Sequence, residues 1–172
     1  MERDLPTTVL PVISDEWIEA THSDPSQWTP AHKQALSLSD TLVAELAAAG
    51  MVVIGAPMYD FSIPFPRKAW IDQDCAATRR LPTAPRVPKG LLAGRKVVVI
   101  ISRGGAYGRG SRARKADFQE PYLRFILEFI GLTDVTFIHA ENQARQADAS
   151  LVTAAARIVE VATAENRQVS TQ

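Results

Sequence analysis

The sequence predicts an α/β protein built on a parallel sheet, and three observations support this fold class. Three apolar runs, at 51–56, 96–101 and 134–138, have the length of buried strands. Segments with helical periodicity lie before, between and after these runs. The first two runs are followed directly by loops rich in proline, aromatic residues or glycine. Because parallel strands need a crossover between them, this alternation indicates right-handed strand–helix–strand connections.

The first part of the chain is predicted to form one long helix and the first strand. Residues 1–28 are expected to be an irregular segment with at most a helical turn over 16–20. A helix follows: Thr29 and Pro30 are typical of its N-cap and first position, and Gly50 of its C′ position. The run 51–56 is apolar throughout, which indicates a strand covered by helices on both faces. The apolar stripe of the helix comprises Ala35, Leu38, Leu42, Leu46 and Ala49.

The remainder continues the alternation. The predicted elements are a helix over 64–77, a loop over 81–89, a strand over 96–101, a polar and basic loop over 106–116, a helix over 121–130 closed by Gly131, and a strand over 134–138. The last helix, over 148–164, carries Leu151, Ala154, Ala155, Ile158 and Ala162 on one face. The whole chain, 1–172, is predicted to be a single domain. Three strands fall short of the usual five or six of a doubly wound sheet, and the shortage lies at the front.

Composition narrows the class of protein. Of the 172 residues 46% are hydrophobic, and the 19 basic and 19 acidic residues cancel, so no global charge favours nucleic acid or an anionic membrane. The single cysteine, Cys75, excludes an internal disulfide, and with three scattered histidines it offers no metal-site spacing. The first residues have no signal-peptide pattern, and no run approaches the roughly 18 apolar residues of a membrane span. We therefore expect a soluble, cytoplasmic protein without a metal site.

Two loops are the candidate binding site. Met58, Tyr59, Asp60 and Phe61 follow the first apolar run and offer a flat apolar wall with free peptide groups, which suits a flavin-type heterocycle. The loop 102–105 follows the second run, and its two adjacent glycines allow close approach of backbone N–H groups to a ligand. Ligands of open α/β sheets lie at these carboxyl ends of the strands. The alternative is that both loops are ordinary connections without a ligand.

Other chemically suggestive residues receive plainer interpretations. The stretch 105–110 has the wrong spacing for a dinucleotide fingerprint. The basic residues of the following loop are interpreted as a solvated face, with attraction of the phosphates of a nicotinamide cofactor as the alternative. His139 is interpreted as a hydrogen-bonded structural residue, and Cys75 has no neighbouring base that would make it a nucleophile. The basic residues are Arg109, Arg112, Arg114 and Lys115.

Several motifs in order carry a resemblance to a known family. The chain reads APMYDFSIP at 56–64, RKAWID at 67–72, SRGGAY at 102–107, QEPYLRFILEFIG at 119–131 and TDVTFIHAE at 133–141. Over residues 36–141 it resembles the FMN-dependent NADH-azoreductases, which are flavodoxin-like quinone and azo-dye reductases.

The resemblance implies a flavodoxin-like three-layer fold, bound FMN and a homodimer with the site at the subunit interface. It also implies ping-pong two-electron transfer from NADH through FMN to a quinone or azo compound. No acid–base side chain is demanded, because the cofactor carries the chemistry. The residues implied to hold the isoalloxazine are Met58, Tyr59, Asp60, Phe61, Ser102, Arg103, Gly104 and Gly105.

Three departures from the family pattern matter. Its usual first strand, phosphate loop and first helix have no counterpart, so the strand at 51–56 is expected to be an exposed apolar edge. Residues 76–89 lose the family pattern between sharp borders, and we hypothesise a compensated frameshift there. The family's Asn is Asp60, whose carboxylate can only accept hydrogen bonds. A catalytically impaired remnant or interaction protein that does not retain FMN is therefore the alternative function, and a binder of another planar ligand is a third.

Overall fold

The computed structural model describes residues 1–79, 92 and 94–169. Within them, strands and helices alternate as the sequence predicts. The strands are β1 (Met51–Pro57), β2 (Lys96–Ser102) and β3 (Asp134–Ala140), and the helices are α1 (Asp15–His22), α2 (Pro30–Ala48), α3 (Phe65–Arg79), α4 (Gln119–Phe129) and α5 (Gln143–Val169). The loop predicted over 81–89, and most of the segment 76–89 assigned to a frameshift, lie outside the described residues.

The three strands form one parallel sheet in the order β1-β2-β3. Their last residues, Pro57, Ser102 and Ala140, are in register, so the loops after all three strands leave the same edge of the sheet. This geometry confirms the predicted α/β class. It also brings the two candidate loops side by side at the carboxyl ends of neighbouring strands.

One face of the sheet carries most of the core. Helices α2, α3 and α4 pack there, and the side chains of Leu42, Trp70 and Leu127 are almost completely buried against β1 and β2. Each such side chain contributes roughly 1.5–3 kcal/mol through removal of apolar surface from water. Helix α2 begins as predicted, because the Thr29 hydroxyl accepts a hydrogen bond from the His32 N–H. Gly50 follows its C-cap residue but does not adopt a left-handed backbone.

The buried stripe of α2 is rotated from the prediction. Ala35, Leu38 and Ala49 are only half-buried. The buried positions are Leu36, Ser39, Leu42, Val43 and Leu46. The rotation follows from α1, which packs against α2 and draws an additional side of the helix into the core. Helix α1 itself extends the short turn predicted within the otherwise irregular residues 1–28.

The opposite face of the sheet is thinly covered, which corrects two predictions. β1 is not buried on both faces: Val53 is 61% exposed and Met51 is 38% exposed. Helix α5 packs mainly on β3 and on part of β2, where Ala154 contacts Val98 and Ile138. Of the apolar face predicted for α5, only Ala154 is buried. The other four residues are exposed: Leu151, Ala155, Ile158 and Ala162.

The unpaired edge of β1 borders an open groove of about 770 Å³. Leu46 of α2 and Trp70 of α3 line the groove, together with the N-terminal residues 1–6. Within the described residues β1 has a neighbouring strand on one side only, so alternate backbone N–H and C=O groups face the groove. The exposed apolar edge expected from the sequence is present.

Candidate functional site

The loop after β1 is a tight turn with unusual backbone geometry. Tyr59 and Ser62 exchange two backbone hydrogen bonds, of 3.1 and 2.9 Å, and the two residues between them have positive φ. Asp60 has φ 46° and Phe61 has φ 68°. A left-handed conformation is rare for a bulky residue and costs on the order of 1 kcal/mol or more. Strain of this kind concentrates at ligand sites.

The two candidate loops are tied together at their base. The Met58 N–H donates to the Ser102 carbonyl at 2.9 Å, extending the β1–β2 pairing into the loops. The Phe118 N–H, just before α4, donates to the Phe61 carbonyl at 3.1 Å. The Gln119 side-chain amide donates to the Ala56 carbonyl at 2.9 Å. The start of α4 therefore fixes the height of the first loop above the sheet.

The second loop turns its carbonyl groups toward the start of α5. Its carbonyls at 103, 104 and 105 all accept from N–H groups of the turn 142–144. The N–H groups of Gly104 and Gly105 have no acceptor among the described residues. The bonds are Gln143 N–H to the Arg103 carbonyl at 2.9 Å, Ala144 N–H to the Gly104 carbonyl at 3.2 Å and Asn142 N–H to the Gly105 carbonyl at 3.1 Å.

Together the loops present unused donors beside aromatic rings. In the described part of the chain, the N–H groups of Asp60 and Phe61 also lack an intramolecular acceptor. Phe61 is 49% exposed, and its ring meets that of Tyr107 edge to face, with centroids 6.3 Å apart. Backbone donors next to apolar rings suit the heteroatom edge of a planar heterocycle. The residues present therefore fit an isoalloxazine ring.

The predicted site residues differ in how far they are exposed to solvent. Tyr59, Asp60, Ser102 and Gly104 are exposed, and Met58 and Gly105 are half-buried. The carboxylate of Asp60 has no hydrogen-bond or ion-pair partner among the described residues. Arg103 differs from all of them, because its side chain is completely buried beneath the loop.

Arg103 organises the second loop from below. Its guanidinium pairs with Asp117 at 3.1 Å and with Glu141 at 3.2 Å, and it donates to the Gln119 side-chain oxygen at 3.2 Å. Glu141 also accepts from the Tyr107 N–H at 2.9 Å. Only the backbone of Arg103 can therefore reach a ligand, and its side chain fixes the loop. Spacing in the sequence gave no signal for Asp117, Gln119 or Glu141, because the acids lie 14 and 38 residues from Arg103.

A second ion-pair group lies at the end of β3. His139 shares a hydrogen bond of 2.7 Å with Glu120, which also accepts from Arg124. The hydrogen bond from His139, followed by that from Arg124, lowers the pKa of Glu120 to about 2 against the cost of burial. His139 is thus a hydrogen-bonded structural residue, in agreement with the interpretation of the sequence.

Three negative findings concern the described residues. No group of three or more His, Cys, Asp or Glu side chains is placed to bind a metal ion there. None of the helices in this part of the chain combines the length and apolar character needed to cross a membrane. Cys75 forms no disulfide and is half-buried on α3.

Comparison with known proteins supports the fold and the family that the structure and the sequence motifs indicate. Residues 1–162 match the family model described as flavodoxin-like fold. The chain is 47% identical over 142 residues to FMN-dependent NADH:quinone oxidoreductase 1 of Trichormus variabilis, covering 83% of this chain and 67% of the relative. It is 41% identical over 156 residues to FMN-dependent NADH:quinone oxidoreductase 1 of Jannaschia sp., covering 91% and 79%.

Solved structures show the fold. An FMN-dependent NADH-azoreductase of Bacillus anthracis, in complex with FMN, matches with a TM-score of 0.76 and 22% identity, covering 94% of this chain and 78% of that chain. An azoreductase from another strain of Bacillus anthracis matches with a TM-score of 0.77 and 23% identity. The parallel sheet, the paired loops at its carboxyl edge and these relatives agree: the chain belongs to the flavodoxin-like fold family, among the FMN-dependent NADH:quinone oxidoreductases.

Proposed function

We propose that this chain is an FMN-dependent oxidoreductase that uses NADH to reduce a quinone or an azo compound. The observation that carries the proposal is the set of unused N–H donors on two neighbouring loops, beside exposed aromatic rings. The relatives named above share this activity in their names. When bound, FMN supplies two-electron transfer from NADH to the acceptor in a ping-pong cycle, and the protein binds and orients the reactants.

The protein's own groups have defined roles in this proposal. The N–H groups of Asp60, Phe61, Gly104 and Gly105 hydrogen-bond the heteroatom edge of the ring. Phe61 and its neighbours form the apolar wall that excludes water from one side. Arg103 keeps the second loop in place through its buried carboxylates. No side chain is required as a general acid or base, because the cofactor carries the chemistry.

A homodimer completes the proposal. Three exposed aromatic side chains lie in the first loop or next to it along α3 and α4. Tyr59 is 62% exposed, Phe65 is 72% exposed and Phe118 is 63% exposed. Large exposed aromatic surface is typical of an interface. A second copy would cover these rings and close the site toward solvent. We further propose that residues 1–172 act as one domain in the cytoplasm, where NADH is available.

A second candidate function has its own support. A remnant of the same fold that does not retain FMN would tolerate an open β1 edge and a buried carboxylate without a hydrogen bond, and the described residues of this chain show both. Such a protein would act as an interaction partner and not as an enzyme. The two candidates differ in one measurable property, which is the binding and reduction of flavin.

The test is anaerobic flavin spectroscopy of the purified full chain after incubation with FMN. We expect a yellow protein whose visible absorbance is bleached by NADH and restored by a quinone. Phe61→Ala is expected to weaken FMN binding about tenfold, because it removes one wall of the site. Phe125→Ala, which removes another exposed aromatic ring, on α4 and outside the two loops, is the control. A colourless protein that cannot be loaded with FMN would support the remnant instead.

A further inference from the structure

A second cavity, of about 510 Å³, lies beside the second loop. It is open to solvent on one side and is bordered by the loop that follows Tyr107, the start of α4 and the end of β3. The residues that matter for its chemistry are Arg109, Arg114, Glu120, Arg124, His139 and Glu141. Its volume falls in the usual range for small-molecule sites.

The carboxylates of this cavity are already paired. Glu120 accepts from His139 at 2.7 Å and from Arg124 at 2.8 Å. Glu141 accepts from the guanidinium of Arg103 at 3.2 Å and from the Tyr107 N–H at 2.9 Å. Both acids are thus held by cationic or hydrogen-bonding groups of the protein, which weakens the negative potential that they give to the cavity.

The arginines at the mouth of the cavity have no such partners. Arg109 and Arg114 are exposed, and no carboxylate of the described residues lies within ion-pair distance of either. Arg112 and Lys115 add two more exposed positive charges to the same loop. Two unpaired guanidinium groups at the mouth of a cavity favour a ligand that carries phosphate, whose oxygens match their forked donors.

The position of the cavity indicates which phosphate it takes. Tyr107 stands between the cavity and the proposed ring site: its ring contacts Phe61, with centroids 6.3 Å apart, and its backbone N–H binds Glu141. A ligand that extends past Tyr107 would therefore place a planar ring at the two loops and a charged group in the cavity. A dinucleotide has this shape, because a ribose separates its nicotinamide from its diphosphate.

We propose that this cavity binds the diphosphate of the nicotinamide dinucleotide that reduces the flavin, with Arg109 and Arg114 pairing to its oxygens. The inference rests on the proposed function for the identity of the ligand. The contact would position the nicotinamide by its far end, leaving the reacting ring to the two loops. Arg109 and Arg114 would thus act in recognition of the donor and not in the redox step.

The first test measures binding without any flavin chemistry. ADP-ribose, which has the diphosphate but no nicotinamide, is titrated into the full chain by calorimetry. We expect the double variant R109A/R114A to bind it about 100-fold more weakly, or roughly tenfold for each charge-assisted contact. R112A removes a charge from the same loop without lining the cavity and should retain the affinity. Equal losses in both variants, no loss in either, or no binding by the unmodified chain would each overturn the proposal.

The second test separates the donor site from the proposed function. The FMN-loaded protein is reduced with NADH and with N-benzyl-1,4-dihydronicotinamide, which lacks a diphosphate. We expect R109A/R114A to raise KM for NADH strongly while the rate with the benzyl compound stays unchanged. If the unmodified protein is reduced by neither donor, the proposed function fails and the calorimetry still decides the cavity. If the double variant loses FMN affinity instead, the cavity serves the flavin phosphate and the proposal is wrong.

Discussion

Asp74 makes the stability of this protein depend on pH in an unusual direction. The side chain lies on α3, is completely buried, and has no hydrogen-bond partner for either carboxylate oxygen among the residues that the structure describes. Burial is the main cause that raises its pKa from 3.8 to about 8. The charge of Glu45 raises the pKa further, and those of Arg67 and Arg3 oppose the shift. The folded protein therefore holds Asp74 protonated through most of the neutral range.

The magnitude follows from proton linkage. The unfolded chain releases this proton near pH 4, whereas the folded chain keeps it up to about pH 8. Between these values the folded state binds one more proton, so the free energy of unfolding falls as pH rises. A difference of about four pKa units at ~1.4 kcal/mol each gives a loss on the order of 5 kcal/mol between pH 4 and pH 8. That is a large share of the stability of a typical domain.

Asp74→Asn tests this reasoning because the amide has almost the same shape and cannot ionise. We expect the variant to lose most of the decline and to be more stable than the unmodified chain at pH 8, with little difference near pH 4. Urea unfolding followed by tryptophan fluorescence at several pH values measures the effect. Asp72→Asn is the control, because Asp72 is partly exposed and paired with Lys68. A parallel pH dependence in the unmodified chain and in Asp74→Asn would refute the argument.

Three further predictions follow from the loops, the sheet edge and the buried arginine. Asp60→Asn should raise the melting temperature slightly, because Asn tolerates positive φ better. It should also tighten FMN binding, because Asn carries no charge, and weaker binding in a fluorescence titration would contradict this. Val53→Lys should reduce concentration-dependent association in sedimentation, because a charge blunts the open β1 edge; unchanged association would place the contact elsewhere. Arg103→Met should cost about 3–5 kcal/mol in urea unfolding by leaving Asp117 and Glu141 unpaired, and a cost below ~1 kcal/mol would exclude that role.

The sheet and its site were predictable because their signals are local. Uninterrupted apolar runs identified β1, β2 and β3, and parallel connections then required their following loops to share one edge. The two loops are therefore neighbours for a topological reason that the sequence contains. The backbone of Asp60 and Phe61 was not predictable in the same way, since nothing in these residue types demands positive φ.

The burial of individual side chains was harder to predict from the sequence, because it depends on which other elements pack against each helix or strand. Apolar residues of α5, such as Leu151 and Ile158, remain exposed since the helix covers only part of the sheet. Burial of Arg103 depends on carboxylates far along the chain. Asp74 did have a local signal: it lies three and four residues after the buried Ile71 and Trp70, on the same face of α3.

We expect the two loops to bind the flavin ring through their unused backbone donors. Amide NMR spectra of the isotopically labelled full chain, recorded during titration with FMN and with riboflavin, test it most directly. We expect the amide resonances of Asp60, Phe61, Gly104 and Gly105 to show the largest saturable shifts with both ligands. Saturable binding with its largest shifts elsewhere, or no shift of these four amides with either ligand, would contradict a flavin site at the two loops.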